Sequence, residues 1–169
     1  MHDAYYMSVR QVEEEENIRI ARQAIEAFNT GDASRVHEFI AQDYFNHESQ
    51  ASPERAKLRG PDEVIDTIRK LRSAFADLRY EEQEIIASKD KVVIVLMVSG
   101  KHVGDFFGIP PAGRSFSYPA VHMYQISNGK IVEHRAIRDD LRFMMQLGVV
   151  GPASPQYEQI FQAWKGFMR

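Results

Sequence analysis

Four histidines lie on segments that read as strands or stand beside them: His47, His102, His122 and His134. The last belongs to GKIVEHRAIRDD, Gly129 to Asp140, which crowds Glu133, His134, Arg135, Arg138, Asp139 and Asp140 around the apolar Ala136 and Ile137. A strand that only covers a core has little use for so many titratable groups, so they border either water or a cavity where chemistry takes place. Imidazole titrates near neutrality, and a carboxylate can be moved toward it by apolar or charged neighbours. Such a pair suits general acid–base work, with His122 and Asp139 as the candidate catalytic groups. Each also has a plainer use. His122 reads equally as a core histidine satisfied by hydrogen bonds, and Asp139 or Asp140 as the cap of the helix that follows.

Three histidines on strands invite comparison with His₃ zinc sites, but such ligands must converge, and no close-spaced ligand motif is present. No metal is expected. No phosphate-binding glycine loop, nucleophile elbow or zinc-protease helix occurs either.

The elements that must position these groups follow from periodicity. After the acidic run Glu13–Glu16, which suits the first turn of a helix, Ile18, Ala21, Ile25 and Phe28 recur at helical spacing as far as Asn29-Thr30-Gly31. Asp32 can cap a second helix with the stripe Val36, Phe39 and Ile40. AQDYFNHES reads as irregular or extended, and GPDEV opens a third helix with Val64, Ile68, Leu71 and Phe75 on its core face. From Leu78 the period becomes 2. Strands are expected around Leu78–Glu82, over Val92–Val98, over Ser115–Ile126 and over Lys130–Ile137, the last two joined by the hairpin signal Asn128-Gly129. His122 and Tyr124 then share one strand face, and so do Val132, His134 and Ala136. A last helix runs through Leu147 to Gly148. Helices segregated from antiparallel strands make this an α+β fold.

A chain of 169 residues, 44% hydrophobic and 27% charged, holds one domain with a core. The formal net charge of −3, with no basic stripe, argues against nucleic acid or an anionic membrane as partner. Without cysteine there are no disulfides and no thiolate chemistry, which fits a reducing interior. The first sixteen residues have no apolar core of a secretory signal, and Val92–Val98 is too short to cross a bilayer. A soluble, cytoplasmic protein is expected. Residues 1–16 read as an extension, 17–148 as the domain and 149–169 as a tail. In that tail Tyr157, Ile160, Phe161, Trp164 and Phe167 would share a helix face, against the domain itself or against a partner subunit.

GKHVGDFFGIPPAGRSF, then VHMYQISNGKIVEHR and MMQLG, together with AFNTGD and AQDYFN, resemble the SnoaL-like polyketide cyclases over about Asn17–Gly148. That family belongs to the cone-shaped α+β group of nuclear transport factor 2 and ketosteroid isomerase. The resemblance implies a curved sheet wrapped on helices around a cavity for a hydrophobic or aromatic small molecule. It implies an intramolecular aldol closure with no metal or cofactor, and a homodimer or higher homo-oligomer. Such a reaction needs two ends of one molecule oriented, one acid/base group and a hydrogen bond to a developing oxyanion. His122 matches the family's active-site histidine. The acid/base aspartate of the cyclases falls at Ala136, which cannot take a proton.

Four readings follow. Asp139 takes over as acid/base beside His122, for aldol-type cyclisation or isomerisation, with His47, His102, Phe106, Tyr118, Tyr124 and Arg135 binding substrate and Tyr44 also lining the pocket. Or His122 with His47 or His102 does acid–base chemistry on another substrate. Alternatively, the cavity binds a ligand and nothing reacts, which becomes the better reading if Asp139 caps the last helix and only Ala136 faces the cavity. Water addition to a ring such as an epoxide, by Arg135, Asp139 and Asp105, ranks last.

Overall fold

The computed structural model describes residues 9–51 and 57–151. The first helix, α1 (Val9–Thr30), buries Ile20, Ala21, Ala24 and Ile25 on the stripe that the spacing predicts. It begins well before Asn17, so Glu13–Glu16 lies inside the helix rather than in its first turn. There Glu14 and Glu16 pair with Arg10 and Arg19 on the helix surface. The second helix shrinks to a single turn, α2 (Val36–Phe39), because Ile40 already opens the strand β1 (Ile40–Asn46). After a short 3₁₀ turn (His47–Ala51), α3 (Gly60–Ala74) carries Pro61 in its first turn and buries Val64 and Ile68.

Four long strands follow: β2 (Phe75–Ser88), β3 (Lys91–His102), β4 (Ser115–Ser127) and β5 (Lys130–Arg138). They form one sheet in the order β1-β5-β4-β3-β2. Neighbours in it run antiparallel except β1, which lies parallel to β5, so the sheet is mixed. Val92, Ile94, Leu96 and Val98 alternate inward along β3 and are fully buried, while Val93, Val95 and Met97 lie on the other face, half-buried.

The hairpin between β4 and β5 turns on Asn128 and Gly129, both at positive φ, as a primed two-residue turn requires. One residue later the simple alternation breaks. Gln125 pairs with Glu133 and Ile126 with Ile131, so Val132 is an extra residue on β5. The bulge puts Ile131, rather than Val132, on the same inner side as His134.

The last helix, α4 (Asp140–Leu147), returns across the open end of the sheet and buries Phe143 and Leu147. The Gln146 amide fastens it to β4 through the backbone of Ser117, accepting from its N–H at 2.6 Å and donating to its C=O at 2.9 Å. Asp139 is its N-cap, accepting from the Arg142 N–H at 3.0 Å, and Gly148 ends it in the left-handed conformation. No helix among the described residues is long and apolar enough to cross a membrane. The aromatic tail segment expected to form a helix lies outside the described residues.

Asp139→Ala removes the cap and is expected to cost about 1 kcal/mol, lowering Tm by a few degrees, while Asp139→Asn keeps it. Thermal melts of both variants check this, and equal losses in the two would refute the capping role.

Candidate active site

Helices α1, α3 and α4 and the inner face of the sheet enclose a cavity of about 300 Å³. One end is aromatic. Phe75, Phe106, Phe116 and Phe143 meet there, mostly edge to face, with ring centroids 4.9 to 5.8 Å apart. The other end is polar and carries His122, His134, Glu48, Arg138 and Asp140. A ligand that suits both ends is flat and apolar over most of its length, with oxygen functions at one side.

Cross-strand register assembles the polar end. Tyr124 on β4 lies opposite His134 on β5, and His122 opposite Ala136. On the other side of β5, Asn46 of β1 lies opposite His134. Side chains that share a face at these positions touch. His134 Nδ1 is 3.0 Å from Asn46 Oδ1, and His134 Nε2 is 3.1 Å from His122 Nδ1. Tyr124 stacks on the His134 ring at 5.1 Å and brings its hydroxyl to 3.4 Å from His122 Nδ1.

The direction of this chain follows from its first member. Asn46 Oδ1 already accepts from the Glu48 N–H at 3.1 Å, so it is the amide oxygen and can only accept from His134. Neutral His134 therefore carries its proton on Nδ1 and presents a bare Nε2. Neutral His122 must then donate from Nδ1, and its own Nε2 holds a lone pair. That Nε2 is shielded from water and has no hydrogen-bond partner. A histidine lining an apolar cavity, with its tautomer fixed from behind and one lone pair unspent, is equipped to accept a proton or hydrogen bond from a bound ligand.

Burial is the main reason both rings stay neutral. It pulls His122 down to about 4, with the positive charge of Arg138 adding to the effect. His134 is also held well below the usual histidine range, first by burial and then by His122 and Arg138. Burial raises Tyr118 to about 12 and pushes Tyr80 and Tyr124 higher still, so these phenols remain O–H donors.

The remaining sequence candidates lie elsewhere. His102 is fully buried but does not line the cavity. Its Nδ1 accepts from the Ala112 N–H at 3.2 Å, and its ring packs on Phe75, so it anchors the loop that carries Phe106. His47 Nε2 pairs with Glu133 at 3.1 Å away from the cavity. Arg135 is exposed on the outer side of β5, 3.8 Å from Glu133. Asp139 caps α4 and is not among the lining residues. Phe106, Tyr118 and Tyr124 do line the cavity, as does Tyr44.

Two contributors, Asn46 and Glu48, are absent from the sequence reading, and Arg138 figures there only among the charges of Gly129–Asp140, without a role. Glu48 reaches over β5, where one oxygen accepts from the Ala136 N–H at 3.3 Å and the other lies 3.0 Å from Arg138 Nη2. The signal for Arg138 is its place in that charged stretch, two residues beyond Ala136. For Glu48 there was none. No three His, Asp or Glu side chains among the described residues converge as metal ligands.

Two buried neutral histidines make stability depend on pH. The unfolded chain takes up protons near the ordinary histidine value, and the folded chain does so only at lower pH. Stability is therefore full above about pH 6.5 and falls as pH drops toward about 4. His122→Gln should flatten this slope in Tm measured against pH, whereas an unchanged slope would place the titration elsewhere.

A model of the SnoaL-like polyketide cyclase family matches residues 18–147. Aklanonic acid methyl ester cyclase DnrD of Streptomyces peucetius is 36% identical over 136 residues, which is 80% of this chain and 92% of that protein. Nogalonic acid methyl ester cyclase of Streptomyces nogalater is 36% identical over 125 residues, 73% of this chain and 91% of the other. Among solved structures, TsrD from Streptomyces laurentii superposes with a TM-score of 0.71 at 27% identity, covering 79% of this chain and 96% of its own. The chain belongs to the SnoaL-like polyketide cyclase family.

Proposed function

We propose that this protein closes a ring of a carbonyl-bearing aromatic polyketide by intramolecular aldol addition, with His122 as the acid/base group. The observation that carries the reading is the unpartnered Nε2 of His122, whose tautomer is set by His134 and Asn46, beside a cavity that suits a flat aromatic ligand. The relatives named above suggest a polyketide acid methyl ester as substrate, and aklanonic acid methyl ester is the compound to try first.

In the proposed reaction His122 Nε2 takes a proton from the carbon flanked by carbonyls. The electron pair left on that carbon forms the new bond to the ketone carbon, and the ketone π pair moves onto its oxygen. The same proton then passes from His122 to that oxygen, giving an alcohol. Nothing is oxidised or reduced. A base with a conjugate acid near 4 is weak, but the carbanion is delocalised over the substrate's own carbonyls, and holding both ends of one molecule together removes much of the barrier.

Binding without catalysis keeps one argument in its favour: Asp139 caps a helix, and Ala136 stands where the cyclases carry their aspartate. Against it, Ala136 is not alone on that face, since Glu48, Arg138 and His122 all border the cavity. His122→Gln is expected to slow ring closure about 10²–10⁴-fold. The rate for the unsubstituted protein should rise through about pH 4 and stay level through neutrality, as His122 loses its proton. Product formed only after Ala136→Asp, and none without it, would instead establish a binding protein on a competent scaffold.

The homodimer belongs to the same proposal. It is supported by the half-buried Val93, Val95 and Met97 on the outer sheet face and by Ile137 at 68% exposure. Light scattering on the purified protein should give twice the chain mass, and a monomer at tens of micromolar would refute pairing.

A further inference from the structure

We propose that Arg138 is the oxyanion-binding residue of this cavity, with Glu48 and Asp140 as the positioning residues that fix its guanidinium. The inference rests on the aldol reading above and gives it a second catalytic group. It is carried by how β5 presents its inward face. His134, Ala136 and Arg138 follow one another there at alternate positions, and His122 lies across from the middle one. Diagonal neighbours across an antiparallel pair sit roughly 7–8 Å apart, within reach of a long side chain. His122 and Arg138 therefore approach the space above Ala136 from two sides. His122 and Arg138 both line the cavity.

The guanidinium is held in one pose. Its Nε–H donates to Asp140 Oδ1 at 3.2 Å, and its Nη2 forms an ion pair with Glu48 Oε2 at 3.0 Å. Glu48 is itself fixed, because its second oxygen accepts from the Ala136 N–H. With Nε committed and two carboxylates balancing the charge, N–H donors remain at the Nη end for a ligand oxygen. The charge also reaches the cavity walls. Arg138 depresses both His122 and His134, and it acts on Tyr80 and Tyr118 as well. A cation so placed before the substrate arrives is arranged to meet negative charge as it develops.

In chemical terms, Arg138 donates a hydrogen bond to the ketone oxygen as the carbon–carbon bond forms and the π pair moves onto that oxygen. It releases the oxygen once the proton held by His122 has been transferred. Arg138 itself gives up no proton. Lys70, the other cation lining the cavity, pairs with Asp66 at 2.7 Å and comes from α3, not from the β5 face that carries His134 and Ala136 opposite His122.

The test separates two steps on aklanonic acid methyl ester in deuterated buffer. Exchange of the carbon-bound proton, read by NMR, reports the base. Appearance of cyclised product, read by chromatography, reports the full reaction. Arg138→Met should slow closure about a hundredfold more than it slows exchange. Arg138→Lys should restore part of that loss. Glu48→Gln should lower kcat about tenfold at nearly constant KM, the behaviour of a lost transition-state contact. Melts confirm folding, and if Arg138→Met fails to fold, Glu48→Gln and Arg138→Lys decide. Closure at the original rate in any folded Arg138 variant overturns the proposal, as does equal slowing of exchange and closure. If the unsubstituted protein catalyses neither step, the aldol reading itself falls. Exchange that survives while Arg138 proves irrelevant leaves that reading standing and removes only this inference.

Discussion

The register between β4 and β5 is the constraint on which the site depends. Asn128 and Gly129 set the turn, and the bulge at Val132 then shifts the pairing so that His122 meets Ala136 and Tyr124 meets His134. A slip of one residue would turn every one of these side chains to the outer face. His134 would lose Asn46, His122 would lose His134, and Arg138 would leave the cavity. The aromatic end has its own anchor in α4, which Gln146 ties to the backbone of Ser117 and whose Phe143 closes the cluster.

Within that frame, polar groups buried in an apolar cavity would be costly unless each were satisfied in turn. The chain from the Glu48 N–H through Asn46 and His134 to His122 satisfies all but the last atom. His102 shows what an orphaned histidine nitrogen means elsewhere in the same protein. Its Nε2 also lacks a partner, but it packs among Phe75 and Phe106 beneath a loop, with no access to a ligand. The two differ in that His122 lines the cavity and His102 does not.

Ala136 itself brings no charge to β5, but its neighbours do. Glu48 and Arg138 bring a carboxylate and a guanidinium to its border, the first from the turn after β1 and the second from the end of β5 itself. Family membership explains why the cavity exists. The charges that Glu48 and Arg138 bring beside Ala136 determine what chemistry can be asked of it.

Sequence alone was enough for the α+β class, for the helix stripe of α1 and that of α3 except Phe75, which opens β2, for the buried run of β3 and for the Asn128-Gly129 hairpin, because each is a local periodic or turn preference. Of the site candidates named from sequence, His122, Phe106, Tyr118 and Tyr124 line the cavity, and His47, His102 and Arg135 do not. The pairing of β1 with β5 was not legible, since AQDYFNHES carries no strand period, and with it Asn46 and Glu48 were invisible. The bulge at Val132 was equally hidden, as one extra residue leaves no mark on composition. Whether Asp139 caps a helix or enters the cavity depends on where α4 docks. Only the tertiary structure could settle that, because the choice between two uses of one carboxylate is made by neighbours far away along the chain.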